Sequence, residues 1–195
     1  NNLYLTKSMV NKLLIQNYGI IKNMPKEKLD LDTIEKVIET NEMVKSAQVY
    51  LTIDGELTSK IVQRQPIGRV EGKTKFYLDE EGKKINVRIG RSVRVPLATG
   101  ELELYNEVLF KSKKRSNLRD VFNLALRIDR DEFRSALIEQ MDIDANGKVS
   151  MVPKIGKERI RLSVENLDEK LYKLKYFYKN GLPQEGWSKF SILDL

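Results

Sequence analysis

The 195-residue chain contains no cysteine and no histidine. Without cysteine there is no disulfide and no thiolate metal site, so the redox compartment cannot be read from the sequence. Without histidine the usual general base at neutral pH and the commonest metal ligand are both missing. A serine or cysteine triad in its usual form is therefore excluded. No apolar run approaches the roughly twenty residues of a membrane-crossing helix, and Asn1 begins no signal peptide. Glycine-rich phosphate loops, internal repeats and low-complexity segments are absent as well. The sequence leads us to expect no catalytic, cofactor-binding or metal-binding residues.

What is present bounds the answer further. The length fits one large domain or two small ones. Apolar residues make up 41% of the chain, enough for folded cores, and 32% charge implies a well-solvated surface. The net charge of +7 fits a soluble basic domain, or one meeting nucleic acid, an anionic membrane or an acidic partner. Lys111 to Arg115 is the densest basic cluster. It reads most simply as a solvated loop, because it lacks the interleaved aromatics that single-stranded nucleic-acid platforms use. The remaining basic residues are spread along the chain rather than gathered in one recognition helix. The acidic runs Asp79 to Glu81 and Asp129 to Glu132 read as turn and cap residues.

The most informative stretch is Leu29 to Val70. Leu31, Ile34, Val37 and Ile38 recur at helical spacing and form one apolar stripe. Either Asp30 or Asp32 can cap that helix, and Asp32 would put Glu35 in a capping box. Ala47, Val49, Leu51 and Ile53 then alternate with polar residues, as in a half-buried strand. A second strand runs from Glu56 to about Gln63, before Pro66 ends it. A three-residue loop, Ile53-Asp54-Gly55, pairs Leu51 with Leu57, Val49 with Ser59 and Ala47 with Ile61, so apolar faces meet. It requires Gly55 in the left-handed region.

Elsewhere the pattern predicts a helix over Ser8 to Asn17 and a connection over Asn23 to Lys28. Short strands follow at Lys75 to Leu78 and Lys84 to Arg88, then a helix capped by Ser116 or Asn117. Phe133 to Ile143 reads as a strand, with Leu137, Glu139, Met141 and Ile143 on one side. The run Asp142 to Gly147 looks like the start of a calcium loop. The position that needs a bidentate carboxylate, however, is Pro153, so the run is read as a hairpin. Its register follows the same logic: Ala145-Asn146-Gly147 as a three-residue loop pairs Ile143 with Val149 and Met141 with Met151. Val152 to Ser163 continues as two strands about Gly156. A helix carrying Leu167, Leu171 and Leu174 follows, then a closing strand over Ser188 to Leu195. Tyr172, Tyr176, Phe177 and Tyr178 cannot all lie on one helix face, and any left exposed would suit a protein contact.

Several of these runs together resemble the FtsQ/DivIB family of bacterial cell-division proteins. L-D-L-x-x-I-E, N-E-M-V-K-S-A-Q-V-Y and Q-R-Q-P-I-G-R-V resemble its POTRA domain, with Glu42 standing where the family often has proline. F-Y-L-D-E-E-G-K-K-I, V-P-L-A-T-G and V-P-K-I-G-K-E-R-I-R-L-S resemble its β domain, in the family's order. The resemblance implies an α+β fold with a small POTRA-like domain over residues 1–70. A mainly antiparallel β domain with flanking helices follows over 71–195. It implies a strand before the first helix, one more strand after Leu195, and a single membrane anchor upstream, with the domains on the extracytoplasmic (periplasmic) side of the inner membrane. It further implies a non-catalytic scaffold that holds FtsB/FtsL-type division proteins by β-augmentation and binds no nucleic acid. The partner-binding residues expected are Arg134, Tyr176, Trp187, Ser191, Ile192, Leu193, Asp194 and Leu195. Arg134 matches a charged position ahead of a β-domain strand, and the others lie at the C-terminal end that the family uses. Two other readings remain: a POTRA protein of outer-membrane assembly or secretion, and a basic nucleic-acid-binding protein.

Overall fold

A computed structural model describes residues 5–21, 24–87, 93–112, 114–186 and 189–195. Contacts divide the chain into two units, Asn1–Gln65 and Pro66–Leu195. The division falls ahead of the Glu71 position expected from sequence, because Pro66–Glu71 is a strand of the second unit's sheet.

Among its described residues the first unit has two α-helices, a short 3-10 turn at Lys26–Lys28 and a hairpin. Helix α1 (Lys7–Asn17) starts at Thr6, whose side chain accepts from the Met9 amide. Helix α2 (Leu31–Glu39) starts at Asp30, not Asp32. The Asp30 carboxylate takes both the Thr33 amide and the Thr33 hydroxyl, leaving Glu35 free of a capping box. Strands β1 (Val44–Leu51) and β2 (Leu57–Gln63) pair antiparallel, with Leu51 opposite Leu57, Val49 opposite Ser59 and Ala47 opposite Ile61. Gly55 has φ +82°, as the three-residue loop demands. Ile34 and Ile38 are fully buried against Ala47 and Val49. Expectations that fall on Asn1 to Tyr4 lie outside the described residues.

Among its described residues the second unit is built on a mixed eight-stranded sheet. Its strands are β3 (Pro66–Glu71), β4 (Lys75–Asp79), β5 (Lys84–Asn86), β6 (Leu97–Gly100), β7 (Ile138–Ile143), β8 (Lys148–Pro153), β9 (Arg159–Ser163) and β10 (Ile192–Asp194). They lie in the order β10-β9-β8-β7-β6-β3-β4-β5. Pairing is antiparallel within the hairpins and parallel at β3–β6, β6–β7 and β9–β10. The fold is α+β. Helices α3 (Glu107–Lys111), α4 (Asn117–Asp129), α5 (Glu132–Leu137), α6 (Leu167–Tyr176) and α7 (Leu182–Glu185) accompany the sheet. One apolar core joins Phe76, Leu78, Met141, Met151 and Ile160 of the sheet to Leu118, Leu124 and Ile128 of α4 and Leu171 and Leu174 of α6. Burying each such side chain contributes about 1.5–3 kcal/mol.

Two expectations are corrected here. Phe133 to Leu137 is helical, because the Asp131 carboxylate accepts from the Arg134 amide and caps a new helix. Glu139 is exposed rather than facing with Met141, because the β7–β8 register shifts between Ile138 and Gln140. The second hairpin keeps its expected register, Ile143 opposite Val149 and Met141 opposite Met151, with Gly147 at φ +78°.

Candidate functional site

Among the described residues β10 is the end strand of the sheet and lies parallel to β9, with Ile192 beside Arg159, Leu193 beside Ile160 and Asp194 beside Arg161. Two main-chain bonds fix its phase: Arg159 N donates to Ser191 O, and Leu195 N donates to Arg161 O, each at 2.9 Å. Because groups alternate along a strand, the amides and carbonyls of Ile192 and Asp194 point away from β9, at the open edge. Such an edge is a template for another strand.

The side chains at this edge also alternate. In β9 Ile160 and Leu162 are buried, while Arg159 and Arg161 are exposed on the other face. Ile192 and Asp194, in register with those arginines, are exposed too. Leu193 and Leu195 pack against the core together with Phe190. The edge thus has an apolar side continuous with the helices and a charged side. On the charged side lies a shallow cleft of about 630 Å³ lined by three basic residues, Lys148, Arg159 and Arg161, and three acidic ones, Asp142, Asp144 and Asp194.

The expected partner-binding residues are distributed unevenly. Ser191, Ile192, Leu193, Asp194 and Leu195 form the edge just described. Tyr176 lies on α6, 61% exposed, one turn after Tyr172, which is 69% exposed. These two stand four residues apart on the solvent side of the helix. Trp187 lies outside the described residues. Arg134 belongs to α5 and is engaged internally: it faces Asp131 at 3.5 Å, and Asp131 also accepts from Lys175 Nζ at 2.6 Å. The Lys175 ammonium first, with the Arg134 amide and guanidinium, holds the Asp131 carboxyl well below the usual carboxylate range, against the opposing effect of its burial.

Sequence reasoning missed Arg159 and Arg161, although their alternation with Ile160 and Leu162 carried the signal. It also missed the packing behind the edge. After α6 the backbone widens into a π turn, Phe177–Gly181. This turn sends Tyr178 into the core and sets the Phe177 ring 5.3 Å from that of Phe190. A Cβ at Gly181 would stand 2.6 Å from the Phe177 ring, so only glycine leaves room for it there.

Among the described residues no group of three or more carboxylates is placed to hold a metal ion, and no helix is long and apolar enough to cross a membrane. A family model described as FtsQ/DivIB, C-terminal related, matches residues 65–195, well over half of the chain. A search of the curated proteins finds no match.

Proposed function

The chain belongs to the FtsQ/DivIB, C-terminal related, family, and from that membership we propose that it is a non-catalytic scaffold of the septal machinery. Its role lies in cell division. In this reading residues 66–195 are the family's β domain, and residues 1–65, with two helices on a hairpin, are a POTRA-like unit. Both stand on the extracytoplasmic side of the inner membrane, behind a single anchor in the full-length protein. The scaffold holds FtsB/FtsL-type division proteins.

The observation that supports this most is the position of β10. A short strand at the end of an eight-stranded sheet, with the main-chain groups of Ile192 and Asp194 turned outward, suits β-augmentation. Main-chain bonds would supply affinity, and the alternating side chains would supply selectivity. The partner strand this edge fits carries apolar residues on the side of Leu193 and Leu195 and charged residues of both signs on the other, a basic one beside Asp194 and an acidic one reaching toward Arg159 or Arg161. Tyr172 and Tyr176 offer amphipathic anchors on α6.

Amide hydrogen exchange with and without a synthetic FtsB-type peptide tests the reading. Slowed exchange at the Ile192 and Asp194 amides on adding peptide is the expected result. Saturating peptide with no change at those two amides would contradict it.

A further inference from the structure

Three polar or charged residues are fully buried among the described ones: Asp79, Ser116 and Glu158. The first two have evident local duties. Asp79 takes the Glu81 and Lys83 amides of its turn, and Ser116 caps α4 by accepting from Arg119 N. Glu158, 3% exposed, caps nothing. Its carboxylate accepts the hydroxyl of Tyr178, itself 4% exposed. A buried carboxylate is expensive to keep, so the pair invites the question of what it holds.

Its place in the chain answers that. Glu158 directly precedes Arg159, whose amide makes the first bond from β9 to Ser191. Tyr178 sits in the π turn directly after Phe177, whose ring packs on Phe190, the residue before Ser191. Tyr178 also packs edge-on against Phe133 at 6.1 Å, which fixes its ring from the other side. The Glu158–Tyr178 bond therefore ties together the two segments that converge on the start of β10: the entry of β9 on one side and the Phe177–Phe190 contact on the other. The loop before β9 is shaped around the same carboxylate. Gly156 has φ +105°, and a Cβ there would stand 2.2 Å from Glu158 Oε2. π turns recur where a side chain must be re-aimed for function.

We propose that Glu158 and Tyr178 are positioning residues for the docking edge, fixing the start of β9 and of β10 so that Ile192 and Asp194 present an ordered template to the incoming strand. The proposal rests on the reading of β10 as the docking strand. The pair does not touch the partner; it acts through β10.

Three variants of the 195-residue chain test this, each read by amide exchange and by FtsB-type peptide binding. In Tyr178→Phe the ring stays but the hydroxyl is gone. Exchange at the Arg159 and Leu195 amides should quicken and peptide affinity should fall, each by about tenfold, while Met141 and Met151 in the sheet centre stay protected. Glu158→Gln keeps a carbonyl acceptor and should behave as the parent does. The double variant Glu158→Leu with Tyr178→Phe removes the stranded carboxylate, so it should recover thermal stability without recovering edge protection or affinity. A purely structural pair would recover all three together, and that result would overturn the proposal. Parent-like exchange at Arg159 and Leu195 in Tyr178→Phe would also overturn it. Failure of the parent to bind the peptide would overturn the docking reading, while the exchange measurements would still decide the role of the pair.

Discussion

The Glu35 carboxylate accepts the Val49 amide at 2.6 Å, joining a helix side chain to the outer edge of a strand. Glu39, one turn later on α2, does the same for the Ala47 amide at 3.0 Å. Both amides point away from β2, so without these carboxylates β1 would present bare donors to solvent. The two glutamates close that edge from within the fold, leaving the first unit's hairpin blunted on this side.

Replacing both, as Glu35→Ala with Glu39→Ala, should lower stability by about 2–4 kcal/mol, near 1–2 for each lost charge-assisted bond. It should also raise concentration-dependent self-association, because β1 becomes available for pairing. Thermal denaturation and light scattering over a concentration series check this. The paired glutamine variants, which keep carbonyl acceptors, should remain closer to the parent in both measurements. A double alanine variant as stable and as monodisperse as the parent would show that the edge is closed by something else.

Gly100 sits where β6 meets β7, with φ +105°. A Cβ at this position would stand 2.0 Å from the Ile143 carbonyl oxygen, which already accepts the Glu101 amide at 2.8 Å. The obstacle is backbone in the sheet centre and cannot swing aside. Gly100→Ala should therefore cost about 3 kcal/mol or more. Gly55→Ala, where the obstacle is the mobile end of Lys26, should cost about 1 kcal/mol. Denaturant unfolding of the two variants should keep that order.

Asp131 supplies a pH prediction. Its carboxyl is held below its unfolded value chiefly by Lys175. A carboxyl depressed in the folded state contributes stability in full above its unfolded value. The contribution is lost as pH falls toward the folded value. The Asp131 contribution should thus be present above about pH 4 and decline below it. In Lys175→Met the decline between about pH 4 and 2 should flatten, with a loss of about 1–2 kcal/mol at neutral pH. Urea unfolding at a series of pH values reads both effects.

Much of the fold was legible because local chemistry and global packing agree at those places. Gly55 and Gly147 stand third in loops whose flanking residues bring apolar faces together, so both hairpin registers could be argued from residues alone. Leu31, Ile34 and Ile38 marked α2 by spacing. The failures have equally local causes. Phe133 to Leu137 alternates like a strand, but the cap at Asp131 decides for helix. The second strand does end at Gln63, ahead of Pro66 as read, but the strand β3 that Pro66 begins was not foreseen, because its pairing to β4 and β6 comes from outside the hairpin. The candidate edge was legible in part. Ser191 to Leu195 could be singled out, but the parallel pairing to β9 that aims Ile192 and Asp194 outward comes from contacts distant in sequence. Glu158, within the run Val152 to Ser163 that reads as two strands about Gly156, gave no sign of burial, because the Tyr178 that covers it is distant in sequence.

Two proline variants separate the outer edge of β10, where a partner strand would pair, from the side bonded to β9. Proline at residue 192 removes an amide that faces outward and leaves the bonds of Ser191 and Leu195 to β9 in place. Proline at residue 193 strikes the side facing β9 and should loosen β10 itself. Ile192→Pro should melt with the parent, keep the β9–β10 amides protected from exchange, and bind an FtsB-type peptide at least about tenfold more weakly. An Ile192→Pro variant that is folded, protected at Arg159 and Leu195, and as tight for the peptide as the parent would contradict pairing at that edge.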